Sequence, residues 1–483
     1  MFYYCYIMYQ VDTDTVGRLI IANAPEWGIQ PERRALPGNN SVVYGQPFPD
    51  DEMAFFWSGD NKHVVTRHYL DASHADYCCE ILGYRRTTHS APSVSDSGSS
   101  ICDALLEPGR LRDLAGLLDD TGSGPVLVES YGATPQYLDL VEALRGKTRR
   151  TIQNAMTPRP DLDVVSRLDS KIRAREFLST AVDRKSVRLT RAFDAQPGPD
   201  LPRNVAAAVQ AFGSVLLKAE FAAGGHGMAV VDSLAGIDEQ VTGLLVQCCE
   251  GNLLLEEYLG PDEAMMPVSF SARVDQDGAL TSVGVGRELR YSTRFYAGMH
   301  IGRQSIDRQY ADVATSVGLA IGSAMSRLGF RGAFSVDFLC RLEDGVLFPL
   351  EINPRRSLGS TLVDICQQLY GPHYASEAAA IARRRVPVHQ SISGWAQLRD
   401  FLDARKLLGN YGEFVVLPYM VNTLPTQAYI GMAVTGRDSA VITEVLQEVI
   451  AQLASGGLGR NERGRTENRW HAEEPKAQIV KHW

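Results

Sequence analysis

Three side chains bearing oxygen donors, Asp337, Glu351 and Asn353, fall within the stretch AFSVDFLCRLEDGVLFPLEINPR (333–355) in a pattern that could hold a divalent cation. Two β-rich runs flank Asp344-Gly345, a dipeptide favoured in hairpin turns, so a short loop there sets Asp337 roughly opposite Glu351. Opposed residues share a face with Cβ atoms about 4.5 to 5.5 Å apart, and Asn353 joins them because strand side chains repeat every two residues. Hard oxygen donors of this kind suit Mg²⁺ shared with substrate phosphates. Arg355, two residues on, adds a bidentate donor for an anion. A surface hairpin with solvated acids is the plain alternative, and the hairpin alone does not choose between them.

Upstream lie residue types that could neutralise phosphate. Gly224, Gly225 and Gly227 separate two strand-like runs, SVLLKAE and MAVVDS, and can form a loop whose backbone N–H groups approach phosphate oxygens without Cβ clashes. Lys218 stands on the entering strand, and a basic helix beginning near Asp169 carries Lys171, Arg173 and Arg175. A flexible glycine loop and a solvated lysine are the bland readings of each piece. His226 within the loop reads as solvent-exposed. Gly146-Lys147-Thr148 resembles the end of a Walker A loop, but Val141 stands where its first glycine belongs and a helix precedes it. There is no G-x-G-x-x-G after a strand, no H-E-x-x-H and no G-x-S-x-G, so neither a zinc protease nor a serine hydrolase is indicated.

The elements that must position these groups fit a chain of several domains. At 483 residues, with 45% hydrophobic and 22% charged residues, the chain can bury large cores. Its net charge of −9 argues against a general nucleic-acid or anionic-membrane binder. The eight cysteines are scattered without C-x-x-C, which argues against zinc or a disulfide framework and fits a reducing cytoplasm. The apolar start MFYYCYIMYQVD lacks a signal peptide's basic region and reads as a buried strand. No apolar run approaches the roughly 18 residues needed to span a bilayer, so a soluble protein is expected.

Residues 1–155 read as a Rossmann-like α/β unit, with strands at His63–Arg67 and Pro125–Glu129. A helix follows, capped by Thr134 and opened by Pro135. Ser90–Ser100 is a loop by composition, and the prolines of M-T-P-R-P (156–160) mark a linker. Residues 160–385 hold the lysine, glycine and acidic elements, strands at Leu253–Leu259 and Val268–Val274, and an amphipathic helix at Gln309–Leu328. Residues 386–455 read as a small α+β module, with FVVLPYMV and QAYIGMAV as paired strands. The polar segment 456–483 reads as a disordered tail. The expected class is thus multidomain, α/β and α+β.

In order along the chain come a lysine helix, a strand lysine with a glycine loop, the acidic strand LLLEEYL and the D…E-x-N-x-R hairpin. That order, over residues 160–385, resembles the ATP-grasp superfamily of carboxylate–amine ligases. The resemblance implies ATP and Mg²⁺ as cofactors, with Lys171 and Lys218 on the ATP phosphates and the glycine loop as their cover. It makes Glu256-Glu257-Tyr258-Leu259 the adenine hinge, read through backbone groups of Glu257 and Leu259, and Glu263 a ribose ligand. Asp337, Glu351 and Asn353 become the magnesium ligands and Arg355 the stabiliser of the acyl phosphate. The flanking regions, with RELRYSTRFYAGMHIG, resemble pheganomycin-type peptide ligases, although PRRSLGST (354–361) departs from their glycine-threonine-histidine run.

The implied chemistry is attack of a substrate carboxylate on the γ-phosphate, release of ADP, and displacement of phosphate by an amine. Arg287, Arg290 and Arg294 are candidates to grip the substrate carboxylate, with one of the three expected to do so. Small-molecule carboxylates and amines, amino acids or peptides, are the implied partners. A homodimer stays open, as do a carboxylase or kinase with another acceptor and a silent nucleotide-binding protein.

Overall fold

The computed structural model describes residues 17–28, 50–92, 100–183, 187–196, 198–221, 227–235, 237, 252–260, 264–291 and 296–456. The expected strand at 1–12, most of the Ser90–Ser100 loop and the tail from 457 onward lie outside the described residues.

Parallel strands β1 (Arg18–Ile21), β2 (Lys62–Val65), β3 (Thr87–Ser90), β4 (Val126–Ser130) and β5 (Ile152–Asn154) form a sheet in the order β3-β2-β1-β4-β5. Connections leave β1 in both directions, a doubly wound arrangement whose strands end, at the carboxyl side of β1 and β4, in a crevice suited to ligands. Val64, Ile20 and Val128 have no solvent exposure because helices cover both faces. The helix after β4 spans Pro135–Arg145, and its Thr134 Oγ1 accepts the Tyr137 N–H at 3.2 Å, as the sequence pattern predicts.

A second, antiparallel sheet contains β6 (Ala192–Ala195), β7 (Val215–Ala219), β8 (Met228–Val231) and β9 (Leu253–Glu257) in the order β6-β9-β7-β8. Helix Leu201–Phe212 covers it, with Leu201, Val205 and Ala208 packed on Val215, Leu217 and Leu255.

The central sheet has nine strands. They are β10 (Met265–Val274), β11 (Leu280–Arg290), β12 (Tyr296–Gly302), β13 (Gly332–Arg341), β14 (Leu347–Asn353), β15 (Ala379–Pro387), β16 (Gly409–Asn410), β17 (Phe414–Met420) and β18 (Tyr429–Gly436), in the order β14-β13-β10-β11-β12-β15-β18-β17-β16. FVVLPYMV and QAYIGMAV do pair, as β17 and β18. They form no separate sheet: β15 pairs with β12 on one side and β18 on the other, so residues 386–455 extend the central sheet. Helix Arg308–Arg327 covers one face, and Gly318 is required there because a Cβ would enter the Phe270 ring. Helix Leu358–Tyr370 covers the other, opened by a capping box between Ser357 and Ser360. Among the described residues, no helix is long and apolar enough to cross a membrane.

Candidate active site

The hairpin β13–β14 pairs Asp337 with Glu351 and Ser335 with Asn353. A bulge creates this register. Nearer the turn, Phe338 pairs with Pro349 and Leu339 with Phe348, a pairing that would have set Leu350 against Asp337. Leu350 is the extra residue, and by slipping the strand one place it puts Glu351 opposite Asp337. The next strand but one contributes a carboxylate that the sequence reading missed, Glu288 of β11, which is buried. Ser269 of the intervening strand β10 donates to Asp337 Oδ1 at 2.8 Å, and Asn353 Nδ2 donates to Asp337 Oδ2 at 2.9 Å.

Electrostatics follow from crowding. Burial, then the charges of Glu288 and Glu351, push the Asp337 carboxyl well above its usual range. Glu288 is raised for the same first reason, against the pull of Arg290. Burial also pushes Glu351 upward, but Lys171, Lys218 and Arg355 outweigh it and hold the carboxyl below its usual range. Among the described residues, no group of three His, Cys, Asp or Glu side chains stands arranged to hold a metal. The donor set here is two carboxylates with an amide, and Asp337, crowded by Glu288 and Glu351, is the carboxyl whose repulsion a divalent cation would relieve. Asp337, Glu351 and Asn353 therefore fit Mg²⁺ by donor chemistry, with the amide oxygen of Asn353 turned toward the ion in place of its NH₂.

Lys171 opens helix Lys171–Ala181, where Ser170 accepts the Arg173 N–H at 3.1 Å. It is nearly buried, with Nζ 3.2 Å from Glu351 Oε2. Lys218 of β7 is also buried and pairs with Glu256 of β9, which Arg175 reaches at 3.3 Å. Lys171, Arg175, Leu254, Glu256 and Glu351 line one cleft between the four-stranded sheet and the hairpin. The two lysines and the acidic hairpin thus meet, although nearly fifty residues separate the lysines and over a hundred separate Lys218 from Asp337.

At the expected hinge, the Glu257 N–H is bonded to the Arg191 carbonyl at 2.8 Å. One of the backbone groups expected to meet a base, the Glu257 N–H, is thus already engaged at the sheet edge. The Glu257 side chain is turned to Arg191 at 2.6 Å. Gly227 has a φ of 64°, a left-handed conformation suited to glycine. Gly224, Gly225, Glu263 and Arg294 lie outside the described residues.

The three arginine candidates divide by strand alternation. Arg290 shares a face with Glu288 and bonds it at 2.9 Å, so it borders the acid cluster. Arg287 is exposed and pairs in register with Val268 and His300, on the opposite face from Glu288. The structure does not bring it to the cluster. Arg355 is half-buried, lies beside Glu351 and Asp337, and sits 6.0 Å from the centroid of the Tyr131 ring at the end of β4. The carboxyl end of β4 in the parallel sheet thereby reaches the same site. No sequence pattern pointed to Tyr131, and within RELRYSTRFYAGMHIG the arginines rather than Glu288 drew the reading, since a lone strand carboxylate carries no sign of the acids it will meet.

Neither a protein-family model nor a curated protein sequence matches this chain. Solved structures do resemble it. The biotin carboxylase–β-γ-ATP complex from Campylobacter jejuni matches with a TM-score of 0.53 at 13% identity, covering 90% of this chain and 91% of that one. The biotin carboxylase domain dimer of Hydrogenobacter thermophilus 2-oxoglutarate carboxylase, in complex with MgADP, ADP and bicarbonate, matches with a TM-score of 0.51 at 13% identity, covering 90% of each chain. Rhizobium etli pyruvate carboxylase with acetyl coenzyme A matches with a TM-score of 0.51 at 15% identity, covering 90% of this chain and 37% of that one. This chain therefore spans little more than a third of the pyruvate carboxylase it matches. At such identities the likeness is one of fold alone, and because it covers 90% of this chain it takes in the amino-terminal parallel sheet as well as the antiparallel sheets.

Proposed function

We propose that this protein is an ATP-dependent, ADP-forming carboxylate–amine ligase that works through an acyl phosphate. The observation carrying this reading is the convergence of Lys171, Glu256 and Glu351 on one cleft, with Lys218 paired to Glu256 and Asp337 set opposite Glu351.

Asp337, Glu351 and Asn353 would hold Mg²⁺, which when bound neutralises the β- and γ-phosphates. Lys171 and Lys218 add charge to the same phosphates, leaving their present partners Glu351 and Glu256 as they do so. Backbone groups of Glu257 and Leu259 receive the adenine, and Gly224, Gly225 and Gly227 cover the phosphates. Phosphoryl transfer chiefly needs positioning and charge neutralisation, which agrees with a sequence that lacks serine- and cysteine-nucleophile motifs. Arg290 grips the donor carboxylate. As the amine attacks the acyl phosphate, Arg355 stabilises the developing oxyanion.

Amino acids or peptides as substrates, in natural-product assembly of the pheganomycin type, are the finer form of the proposal. It rests on the flanking segments alone, since the three structures compared above are carboxylases. The biotin carboxylase domain of the Hydrogenobacter thermophilus enzyme is in complex with bicarbonate, which makes bicarbonate a donor to include in the assay.

The test is ADP release from MgATP against pools of amino acids, peptides and bicarbonate, with hydroxylamine as a surrogate amine. ADP and phosphate should form only with a carboxylate present, and hydroxylamine should trap a hydroxamate. AMP and pyrophosphate as products would overturn the reading, because attack would then have fallen on the α-phosphorus. ADP release dependent on bicarbonate alone would select the carboxylase reading.

A further inference from the structure

Arg355 and Arg356 are neighbours in sequence and turn opposite ways. Arg355 borders the acid cluster. Arg356, 4% exposed, turns toward the parallel sheet and into a buried ion network. Its Nη1 lies 2.6 Å from Asp364 Oδ2, and its Nη2 lies 3.1 Å from Glu129 Oε2 and 2.8 Å from Ser58 Oγ. Glu129 of β4 also binds Arg273 of β10 at 2.8 Å and accepts the Ser58 hydroxyl at 2.7 Å. Asp364 accepts the Ser58 N–H at 2.9 Å from inside helix Leu358–Tyr370. The guanidinium also lies over the Trp57 ring, 5.3 Å from its centroid.

The backbone repeats the same tie. Arg356 N–H donates to the Tyr131 carbonyl at 2.8 Å, and a Cβ on Gly132 would lie 3.4 Å from the Arg355 Cβ. Tyr131 therefore holds the dipeptide twice, by its carbonyl to Arg356 and by its ring to Arg355. A planar guanidinium fork can bridge two carboxylates and a hydroxyl at once, whereas a lysine ammonium, a single point charge, cannot span them. Beyond Asn353 strand β14 has ended, so sheet pairing no longer fixes Arg355.

We propose that Arg356 is a positioning residue: through Glu129, Asp364 and the Tyr131 carbonyl it fixes Arg355 against the phosphate-facing acids. This rests on the ligase reading above. The carboxyl end of β4 then belongs to the reaction site although it brings no reacting group.

A double-mutant cycle on the full chain tests this, read as carboxylate-dependent ADP release and as the KM for MgATP. Arg356→Lys should lower kcat about 10- to 100-fold, the range expected when a catalytic group is misplaced by about an ångström. The KM for MgATP should stay within about twofold, and in an Arg355→Ala background the same substitution should change kcat by less than about twofold, because its effect runs through Arg355. Ser58→Ala, which removes one hydroxyl from the same network, carries the cycle if Arg356→Lys does not fold. Equal losses in both backgrounds, or a KM for MgATP that rises as kcat falls, would show a merely structural tie and overturn the proposal. Wild-type protein without carboxylate-dependent turnover would sink the ligase reading, and this proposal with it, whereas turnover with additive losses sinks the positioning alone.

Discussion

Replacing Glu351 by glutamine exchanges one oxygen for an NH₂ group at the centre of the acid cluster, at nearly constant volume. The Lys171 ammonium is 3.2 Å from that carboxylate, and at an effective dielectric constant near 20 their attraction is about 5 kcal/mol. The loss is partly offset, since the cost of burying the carboxylate and its repulsion of Asp337 disappear too. Removing one partner of a fully buried pair costs about 3 to 5 kcal/mol, and the Glu351 side chain, 27% exposed, brings the local cost here to the lower end of that range or below. Asp337 moves in the opposite sense: with the Glu351 charge gone, its carboxyl falls back toward the ordinary range. At the reaction, the metal set lacks one charge and Lys171 lacks its anchor. If Glu351 counts as much as a typical group stabilising transition-state charge, the barrier rises by about 2.7 to 4 kcal/mol, or 100- to 1,000-fold in kcat. The assay is ADP release at saturating MgATP with a carboxylate that supports wild-type turnover, and far-UV circular dichroism confirms folding. Asp344→Asn is the control, on the same hairpin at its exposed turn, where the carboxylate binds Arg341 and accepts the Val346 N–H, away from the acid cluster. Its rate should stay within about twofold of wild type. Full activity in Glu351→Gln, or an equal loss in Asp344→Asn, would refute the reasoning.

Arg290→Ala should raise the KM for the donor carboxylate by about tenfold or more, as expected for loss of a charged hydrogen bond, while Arg287→Ala on the other face should leave it within about twofold. The reverse ranking in steady-state kinetics would contradict the assignment of faces. Burial pushes the Glu52 carboxyl up to about 8, against a usual value near 4.5, while it accepts the N–H groups of Val421 and Asn422. The folded state holds that proton where the unfolded chain has lost it, so this contribution is complete below about pH 4.5 and is lost as pH rises through 8. Urea midpoints should thus fall less between pH 5.5 and 8 for Glu52→Gln than for wild type, and parallel slopes would disprove it. Gly318→Ala drives a methyl into the Phe270 ring and should destabilise the protein by about 1 to 3 kcal/mol, visible as a lower melting temperature.

How much of this was legible in the chain depends on how local each signal is. The hairpin was, because turn chemistry at Asp344-Gly345 and strand alternation are properties of adjacent residues. Helix Pro135–Arg145 was too, through its threonine cap and its first-turn proline. Even so, the turn pairing alone sets Leu350 against Asp337, and only the bulge restores Glu351 to that place. Alternation also fixed that Arg287 and Glu288 face apart without fixing which of them faces the site, since a strand carries no mark of which side its neighbours will cover. The cluster of Glu288 with Asp337 and the grip of Glu129 on Arg273 and Arg356 join residues between about fifty and over two hundred positions apart. Their proximity comes from sheet order and from the docking of one sheet's edge on another. The sequence by itself determined which chemistry the residues could carry. Tertiary structure alone decided which of them meet, because a charge is recognised locally by its type whereas its partner is chosen by the fold.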